Sequence, residues 1–168
     1  IPTAIVEAPA RVDSSVLTQL PLPPPQSGTS RGYLTTPQEL KVIAQKAQQG
    51  MEPYRTYESE LLEWANQDWN FKLRARENCS GSNQPAWNDN GGGTRILYAK
   101  ALAYHLTGDV RYAEEVKNIL ERIMTEVLTI NINTEECRLV FSWGTPELVA
   151  SADLIEDYWW NKTCTGPI

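Results

Sequence analysis

The chain reads GGGTRILYAKALAYHLTGDVRYA over residues 91–113, and this stretch decides the fold. From Thr94 to Leu106 it is apolar on nearly every side, which predicts a buried helix. Gly108 follows, and glycine readily adopts the left-handed conformation that ends a helix. Asp109 is placed to cap a second helix through its carboxylate. The stretch therefore predicts two helices that fold back on each other across a two-residue corner.

Similar local signals predict three further helices. The run Thr36-Pro37-Gln38-Glu39 has the chemistry of a capping box and opens a helix that ends at Gly50. A second helix begins near Pro53, and apolar residues at three-to-four spacing extend the helix after Asp109 to about Leu128. Thr145-Pro146-Glu147 repeats the capping pattern and predicts the start of the last helix. The predicted fold class is all-α, built from antiparallel helical hairpins.

The domain organisation follows from composition along the chain. Residues 1–35 lack a helical period and form a predicted extended arm, whose Pro21-Leu22-Pro23-Pro24-Pro25 run favours polyproline II. Residues 36–168 form the predicted helical domain, with loops over 71–93 and 129–137. The chain stops in a loop-like stretch after Cys164, so we expect the domain to be incomplete at its C-terminus.

Composition and charge exclude two classes of partner. The 168 residues are 41% hydrophobic and 21% charged, as in an ordinary globular domain. A net charge of −6 argues against nucleic acid, because nucleic-acid binding needs a basic surface. No run approaches the roughly 20 apolar residues of a membrane helix. We therefore expect neither nucleic acid nor a membrane as partner.

Cysteines and glycosylation sequons predict a secreted glycoprotein. The sequons Asn78-Cys79-Ser80 and Asn161-Lys162-Thr163 make Asn78 and Asn161 candidate glycosylation sites. Three cysteines, Cys79, Cys137 and Cys164, are disulfide candidates next to loop-like sequence. Because the number is odd, one thiol is free, pairs with a second chain, or has a partner in a missing C-terminal segment.

Three segments in order resemble the alginate-lyase-like polysaccharide lyases. They are Gln48-Gln49-Gly50-Met51-Glu52-Pro53-Tyr54, the Thr107-Gly108-Asp109 hairpin, and Trp143-Gly144 through Asp157 with its Leu-Val-Ala-Ser-Ala-Asp-Leu-Ile core. The resemblance spans about residues 36–160. It implies an (α/α) toroid whose hairpins surround a cleft for a uronic-acid polysaccharide, which such enzymes cleave by β-elimination.

The chain departs from that family at the catalytic residues. The family carries its catalytic Asn and His on helices that follow the matched region, and no Asn-His pair is present here. The single histidine, His105, belongs to the hairpin and is interpreted as structural. We therefore assign no catalytic residue. The resemblance implies that this chain supplies the scaffold and part of the cleft, while the complete protein performs the chemistry.

Four residues are candidates for substrate binding. Trp87 and Asn88 could form a sugar platform, because an aromatic ring stacks on pyranose C–H groups while an amide bonds hydroxyls. Arg95 could meet a carboxylate, and Trp143 could line the cleft. Three of them have a structural alternative: loop packing for Trp87, a solvated or paired side chain for Arg95, and core packing for Trp143.

The expected ligand is an acidic polysaccharide or another glycan, with no metal and no cofactor. The glycines at 91–93 lack the remaining residues of a phosphate-binding loop. The alternative function is a non-catalytic secreted structural or carbohydrate-binding glycoprotein that associates with a second chain.

Overall fold

Helices dominate the computed structural model, which describes residues 35–79, 85–88, 92–132 and 134–159. The elements in chain order are α1 (Pro37–Gln48), α2 (Tyr54–Ala65), β1 (Arg76–Cys79), α3 (Gly93–Thr107), α4 (Val110–Glu126), β2 (Thr129–Ile132) and α5 (Glu135–Leu154). A further helical turn covers 156–159. The prediction of a mainly helical fold is confirmed. The predicted arm up to residue 34 and the predicted incomplete C-terminus lie outside the described residues.

The first helical pair begins with the predicted capping box. The Thr36 hydroxyl accepts the Glu39 amide at 3.2 Å, and the Glu39 carboxylate accepts the Thr36 amide at 2.8 Å. The bond from the Thr36 amide lowers the pKa of Glu39, as do bonds from the Thr36 and Thr35 hydroxyls, because they stabilise the charged carboxylate. Gly50, with φ of 73°, lets the chain turn from α1 towards α2.

Helix α3 is the centre of the molecule and packs against α1, α2, α4 and α5. This position explains why its sequence is apolar on nearly every side. The main core cluster consists of Leu97, Ala101, Ala113, Val116, Ile119, Leu120 and Ile155, from α3, α4 and the turn after α5. The predicted corner between α3 and α4 is confirmed. Gly108 has φ of 73°, and Asp109 caps α4 by accepting the Arg111 amide.

Helix α5 begins ten residues earlier than predicted, so the prediction of a helix start at Thr145 was wrong. Thr134 is the cap, because its hydroxyl accepts the Cys137 amide at 3.2 Å. Pro146 lies inside the helix and has no amide hydrogen to donate to the preceding turn. In that turn the Thr145 hydroxyl donates to the Phe141 carbonyl at 2.5 Å. The carbonyl that Pro146 leaves without its helical donor is that of Ser142, the residue next to Phe141.

A short parallel sheet interrupts both predicted loops, so the prediction that 71–93 and 129–137 contain only loop was wrong. β1 pairs with β2 in the register Arg76–Thr129 to Cys79–Ile132. The amides of Leu128 and Thr129 also donate to the Ala75 carbonyl. The strands are 50 residues apart in sequence and their pairing is non-local, so local patterns did not show it.

Candidate functional site

Two neighbouring cavities form a groove along α2 and α3, and they share Leu61, Tyr98 and Leu102 as walls. The first, about 370 Å³, is mostly apolar and is called here the apolar half; it is lined by Thr35, Leu40, Ile43, Tyr54, Tyr57, Glu58, Leu61, Tyr98, Leu102 and Leu106. The second, about 350 Å³, is called the polar half; it is lined by Leu61, Trp64, Arg95, Tyr98, Ala99, Leu102 and Glu147. Concave sites with a few convergent polar groups are the usual form of a ligand site.

The polar half brings a cation and a phenol of α3 together with an aromatic ring of α2. Arg95 and Tyr98 are three residues apart on α3 and therefore lie on neighbouring positions of one helix face. Trp64 projects from the end of α2 and is 42% exposed. Glu147 comes from α5, across the groove. A wall of this kind can stack on an apolar ligand face while binding an anionic group.

Glu147 is fixed by a buried hydroxyl of α3. The Thr94 hydroxyl donates to the Glu147 carboxylate, and Thr94 is itself fully buried. This bond joins the start of α3 to α5. It places a negative charge beside Tyr98, in the cavity that Arg95 also lines.

The pKa of Tyr98 is raised above its usual value, first by burial and second by the charge of Glu147. Both effects penalise the phenolate relative to the neutral phenol. Tyr98 therefore keeps its proton at neutral pH and can donate it or a hydrogen bond. A general-base role would require the opposite shift.

Trp87 and Asn88 lie in the core, where they have little surface to offer a glycan. Trp87 is 2% exposed, and its indole N–H donates to Glu77 at 3.3 Å. Asn88 is fully buried, and its side-chain amide donates to the Val140 carbonyl at 3.4 Å. In the structure, this pair thus packs the 85–88 segment against the rest of the protein, including α5. This is the structural alternative considered above for Trp87.

Close backbone packing surrounds this pair. A Cβ added to Gly144 would lie 2.0 Å from Oδ1 of Asn88, and one added to Gly93 would lie 2.3 Å from the Trp87 carbonyl oxygen. Gly93 is at the start of α3 and Gly144 is in the middle of α5. Because neither has a side chain, the 85–88 segment fits between the two helices. The same Asn88 oxygen is the one buried side-chain polar atom without a hydrogen-bond partner among the described residues.

Of the other two predicted binding residues, the structure brings Arg95 to the groove. Arg95 is exposed and lines the polar half. Trp143 is 54% exposed and lies one turn before Glu147 on α5. Trp143 is not among the residues that line either half of the groove.

Cys79 and Cys137 form a disulfide, with Cα atoms 5.7 Å apart. Both residues are fully buried, and Cys137 lies in the first turn of α5 instead of in a loop. The third candidate, Cys164, lies outside the described residues. So does the candidate glycosylation site Asn161.

Asn78 is exposed on β1, and its Oδ1 accepts a hydrogen bond from Asn131 at 2.9 Å. An N-linked glycan attaches to the side-chain nitrogen, which is a different atom from the one in this bond. The geometry of the folded strand thus presents Asn78 at the surface.

Two kinds of feature are absent from the part of the chain that the structure describes. Within 35–79, 85–88, 92–132 and 134–159, no cluster of three histidine, cysteine or acidic residues could hold a metal ion. Over the same residues, no helix is both long and apolar enough to cross a bilayer.

No family model, no curated protein and no solved structure matches this chain.

Sequence reasoning missed three residues of the polar half: Trp64, Tyr98 and Glu147. Trp64 and Tyr98 fit the apolar patterns of their helices, and such patterns do not separate a core residue from one that lines a cavity. Glu147 follows Pro146 and was interpreted as part of a helix start. A signal for Tyr98 does exist, because it follows Arg95 by three residues on the helix that carries the fold.

Proposed function

We propose that the polar half of the groove binds a uronic-acid-containing glycan, as one wall of a polysaccharide lyase-type cleft. In the complete protein this cleft would perform β-eliminative cleavage, and this chain would supply the scaffold and part of the cleft. The observation that carries the proposal is the convergence of Arg95, Tyr98 and Trp64 on one cavity. Recognition of a uronate requires a positive charge, a proton donor and a surface on which the sugar ring can stack.

Each of the three side chains has a distinct task in this proposal. The Arg95 guanidinium would bind the uronate carboxylate, which planar guanidinium groups match with two hydrogen bonds. The Trp64 ring would stack on the C–H face of the pyranose. Tyr98 would donate to the glycosidic oxygen O4.

The elimination balances with Tyr98 as the acid. A base removes the proton from C5, its electrons form the C4–C5 double bond, and the bond from C4 to O4 breaks. The leaving O4 then takes the phenolic proton of Tyr98, whose raised pKa keeps that proton in place near neutrality. Arg95 assists because it neutralises the carboxylate and stabilises charge that develops next to C5.

The base would come from the rest of the complete protein. His105, the one histidine of the chain, has its Nε2 2.5 Å from the Leu154 carbonyl, an arrangement in which the ring nitrogen donates. It is not among the residues that line the groove. This placement supports the structural interpretation of His105.

The (α/α) toroid belongs to the same proposal. The α3–α4 hairpin and the α1–α2 pair are units of the kind that repeat around such a ring. Their arrangement around α3 supports a toroid segment whose further hairpins would close the cleft. The buried disulfide and the surface position of Asn78 support a secreted glycoprotein, because disulfides persist in oxidising compartments.

The charge of Arg95 provides the first test. We expect Arg95→Gln to weaken binding of a uronate oligosaccharide by about 10–150-fold, since a charged hydrogen bond is worth about 1.5–3 kcal/mol. Titration calorimetry at low and at moderate salt measures the loss, and wild-type binding should weaken as salt rises. Arg55→Gln is the matched control, because Arg55 is exposed on α2 and pairs with Glu52 outside the groove. Equal affinity of wild type and Arg95→Gln would count against the proposal.

The role of Tyr98 gives a second prediction, tested on the complete protein. Tyr98→Phe keeps the ring and removes the proton, so kcat should fall by about 10²–10⁴-fold with little change in oligosaccharide affinity. The ultraviolet absorbance of the unsaturated uronate product measures the rate. Tyr112→Phe is the control, because its hydroxyl bonds Asn66 away from the groove. A Tyr98→Phe enzyme with full kcat would remove Tyr98 from the mechanism.

The second candidate function is a non-catalytic glycan-binding or structural glycoprotein that self-associates. One observation favours it. Arg95 and Glu147 line the cavity with Tyr98, but His105, the one histidine of the chain, does not line it and so supplies no base there. A complete protein that binds uronate through Arg95 and yields no unsaturated product would establish this alternative.

A further inference from the structure

The short sheet ends at an open strand edge. Among the described residues the sheet has two strands, and β2 pairs with β1 along one edge only. The other edge of β2 presents backbone amides and carbonyls to which a further strand can bond. All four residues of Thr129–Ile132 are exposed, and none is charged or proline, the residue types that usually protect such an edge.

An apolar stripe follows the same strand. In the parallel register Ile130 lies beside Glu77, and Ile132 lies beside Cys79. Paired residues share one face of a sheet, and on β1 this face is covered, because Glu77 and Cys79 are buried. On β2 the cover ends. Ile130 and Ile132 are each 38% exposed, and Leu128, just before the strand, is 72% exposed.

A second copy of β2 fits this edge in the antiparallel orientation. If Ile130 lies opposite Ile130 of the second copy, Leu128 lies opposite Ile132, and the apolar side chains of both copies share one face. Cross-strand pairs of this kind stabilise a sheet. A two-fold axis forms each contact twice and gives a continuous sheet in the order β1–β2–β2–β1.

The charges beside the two ends of β2 favour the same orientation. The start of β2 lies beside the exposed Arg76, with Arg74 two residues before it on the same segment. The end of β2 leads into α5, whose first turn carries the exposed Glu135 and Glu136. Antiparallel pairing brings the arginine end of one copy to the glutamate end of the other. Parallel pairing would place like charges together.

We propose that the protein forms a two-fold symmetric dimer through antiparallel pairing of β2 with β2 of a second copy. The contact gives an interface to the self-association of the second candidate function. It does not depend on glycan binding, because no residue of β2 lines either half of the groove.

Sedimentation velocity of the full chain tests whether this strand forms the dimer. Wild type should shift from monomer to dimer as its concentration rises. Ile130→Lys should weaken dimerisation by about tenfold or more, because each copy loses an apolar contact and two ammonium groups face each other. Met124→Lys is the matched control, since Met124 is exposed on α4 away from the sheet, and it should dimerise as wild type does. A wild type that stays monomeric at its solubility limit would overturn the proposal.

Charge reversal tests the orientation in variants that leave the apolar stripe intact. Arg76→Glu and Glu136→Arg should each weaken dimerisation by about two- to thirtyfold, because an exposed pair contributes little but occurs twice. The double variant Arg76→Glu/Glu136→Arg should recover most of the wild-type affinity. Glu136 is chosen because Glu135 already pairs with Arg138 on its own helix. A double variant weaker than both single variants would contradict the antiparallel arrangement.

A disulfide tests the register, in a Cys164→Ala background that removes the third cysteine. Opposed residues of antiparallel strands have Cα atoms about 4.5–5.5 Å apart, within the range of a disulfide. Ile130→Cys should therefore form a covalent dimer on oxidation. Asn131→Cys should not, because Asn131 lies opposite Thr129 of the second copy. Cross-linking through position 131 but not 130 would overturn the proposed pairing. Uronate binding through Arg95 is measured separately, so the two proposals can fail independently.

Discussion

Removing the Cys79–Cys137 disulfide should lower the free energy of unfolding by about 4 kcal/mol. The bond joins residues 58 apart, and the chain-entropy model gives about this value for a closed loop of that size. The double variant Cys79→Ala/Cys137→Ala should therefore lose roughly 10 °C in Tm, since about 1 kcal/mol shifts the Tm of a domain this large by 2–4 °C. Calorimetry or urea unfolding of the variant and the oxidised wild type measures the difference.

Cys164→Ala is the control for this experiment, because it removes one cysteine and leaves the Cys79–Cys137 bond in place. It should retain most of the wild-type stability. Wild type treated with reductant should behave as the double variant does. A double variant that unfolds at the same urea concentration as oxidised wild type would mean that the bond does not constrain the unfolded chain.

The second large effect is expected from Gly93→Ala, which should destabilise the protein by about 3 kcal/mol. The added Cβ would lie 2.3 Å from the carbonyl oxygen of Trp87 and 2.8 Å from its Cα. These are backbone atoms, and the buried indole and its bond to Glu77 prevent the segment from moving away. Alanine normally favours a helix over glycine by up to about 1 kcal/mol, so a loss here would be due to the clash alone.

Gly108→Ala separates this clash from strain in the backbone. Gly108 has φ of +73° and nothing within 4 Å of an added Cβ, so alanine there should cost only about 1–2 kcal/mol. Urea unfolding of the two variants measures both losses of stability. If the m-values are equal, the variant with the lower midpoint is the less stable one. If Gly93→Ala were as stable as wild type, the close packing of the 85–88 segment against α3 would be incorrect.

Local chemistry explains which parts of the fold could be predicted from the sequence. The Thr36–Glu39 capping box and the Gly108–Asp109 corner are set by neighbouring residues, and both were predicted correctly. The start of α5 was missed because Thr145-Pro146-Glu147 carries the same local signal inside a helix. Tertiary packing keeps that helix continuous, since Val140 and Gly144 lie against the buried Asn88.

The candidate site depended on information that is not local. Arg95 was predicted from its charge beside the glycines, and the structure places it in the groove. Trp87 and Asn88 were predicted as a sugar platform from residue type alone, and burial places them in the core. Trp64 and Glu147 reach the polar half only because α2 and α5 both pack on α3. Glu147, for example, is 53 residues from Thr94, its hydrogen-bond partner on α3.

The disulfide also fixes how this molecule responds to a protease. The backbone from Cys79 to Cys137, together with the bond between their side chains, is a closed ring that contains α3 and α4. Hydrolysis of one peptide bond inside that ring, for example in the segment between β1 and α3, opens the ring and releases no fragment. The cut molecule gains only the mass of one water, and its two pieces separate when the disulfide is reduced.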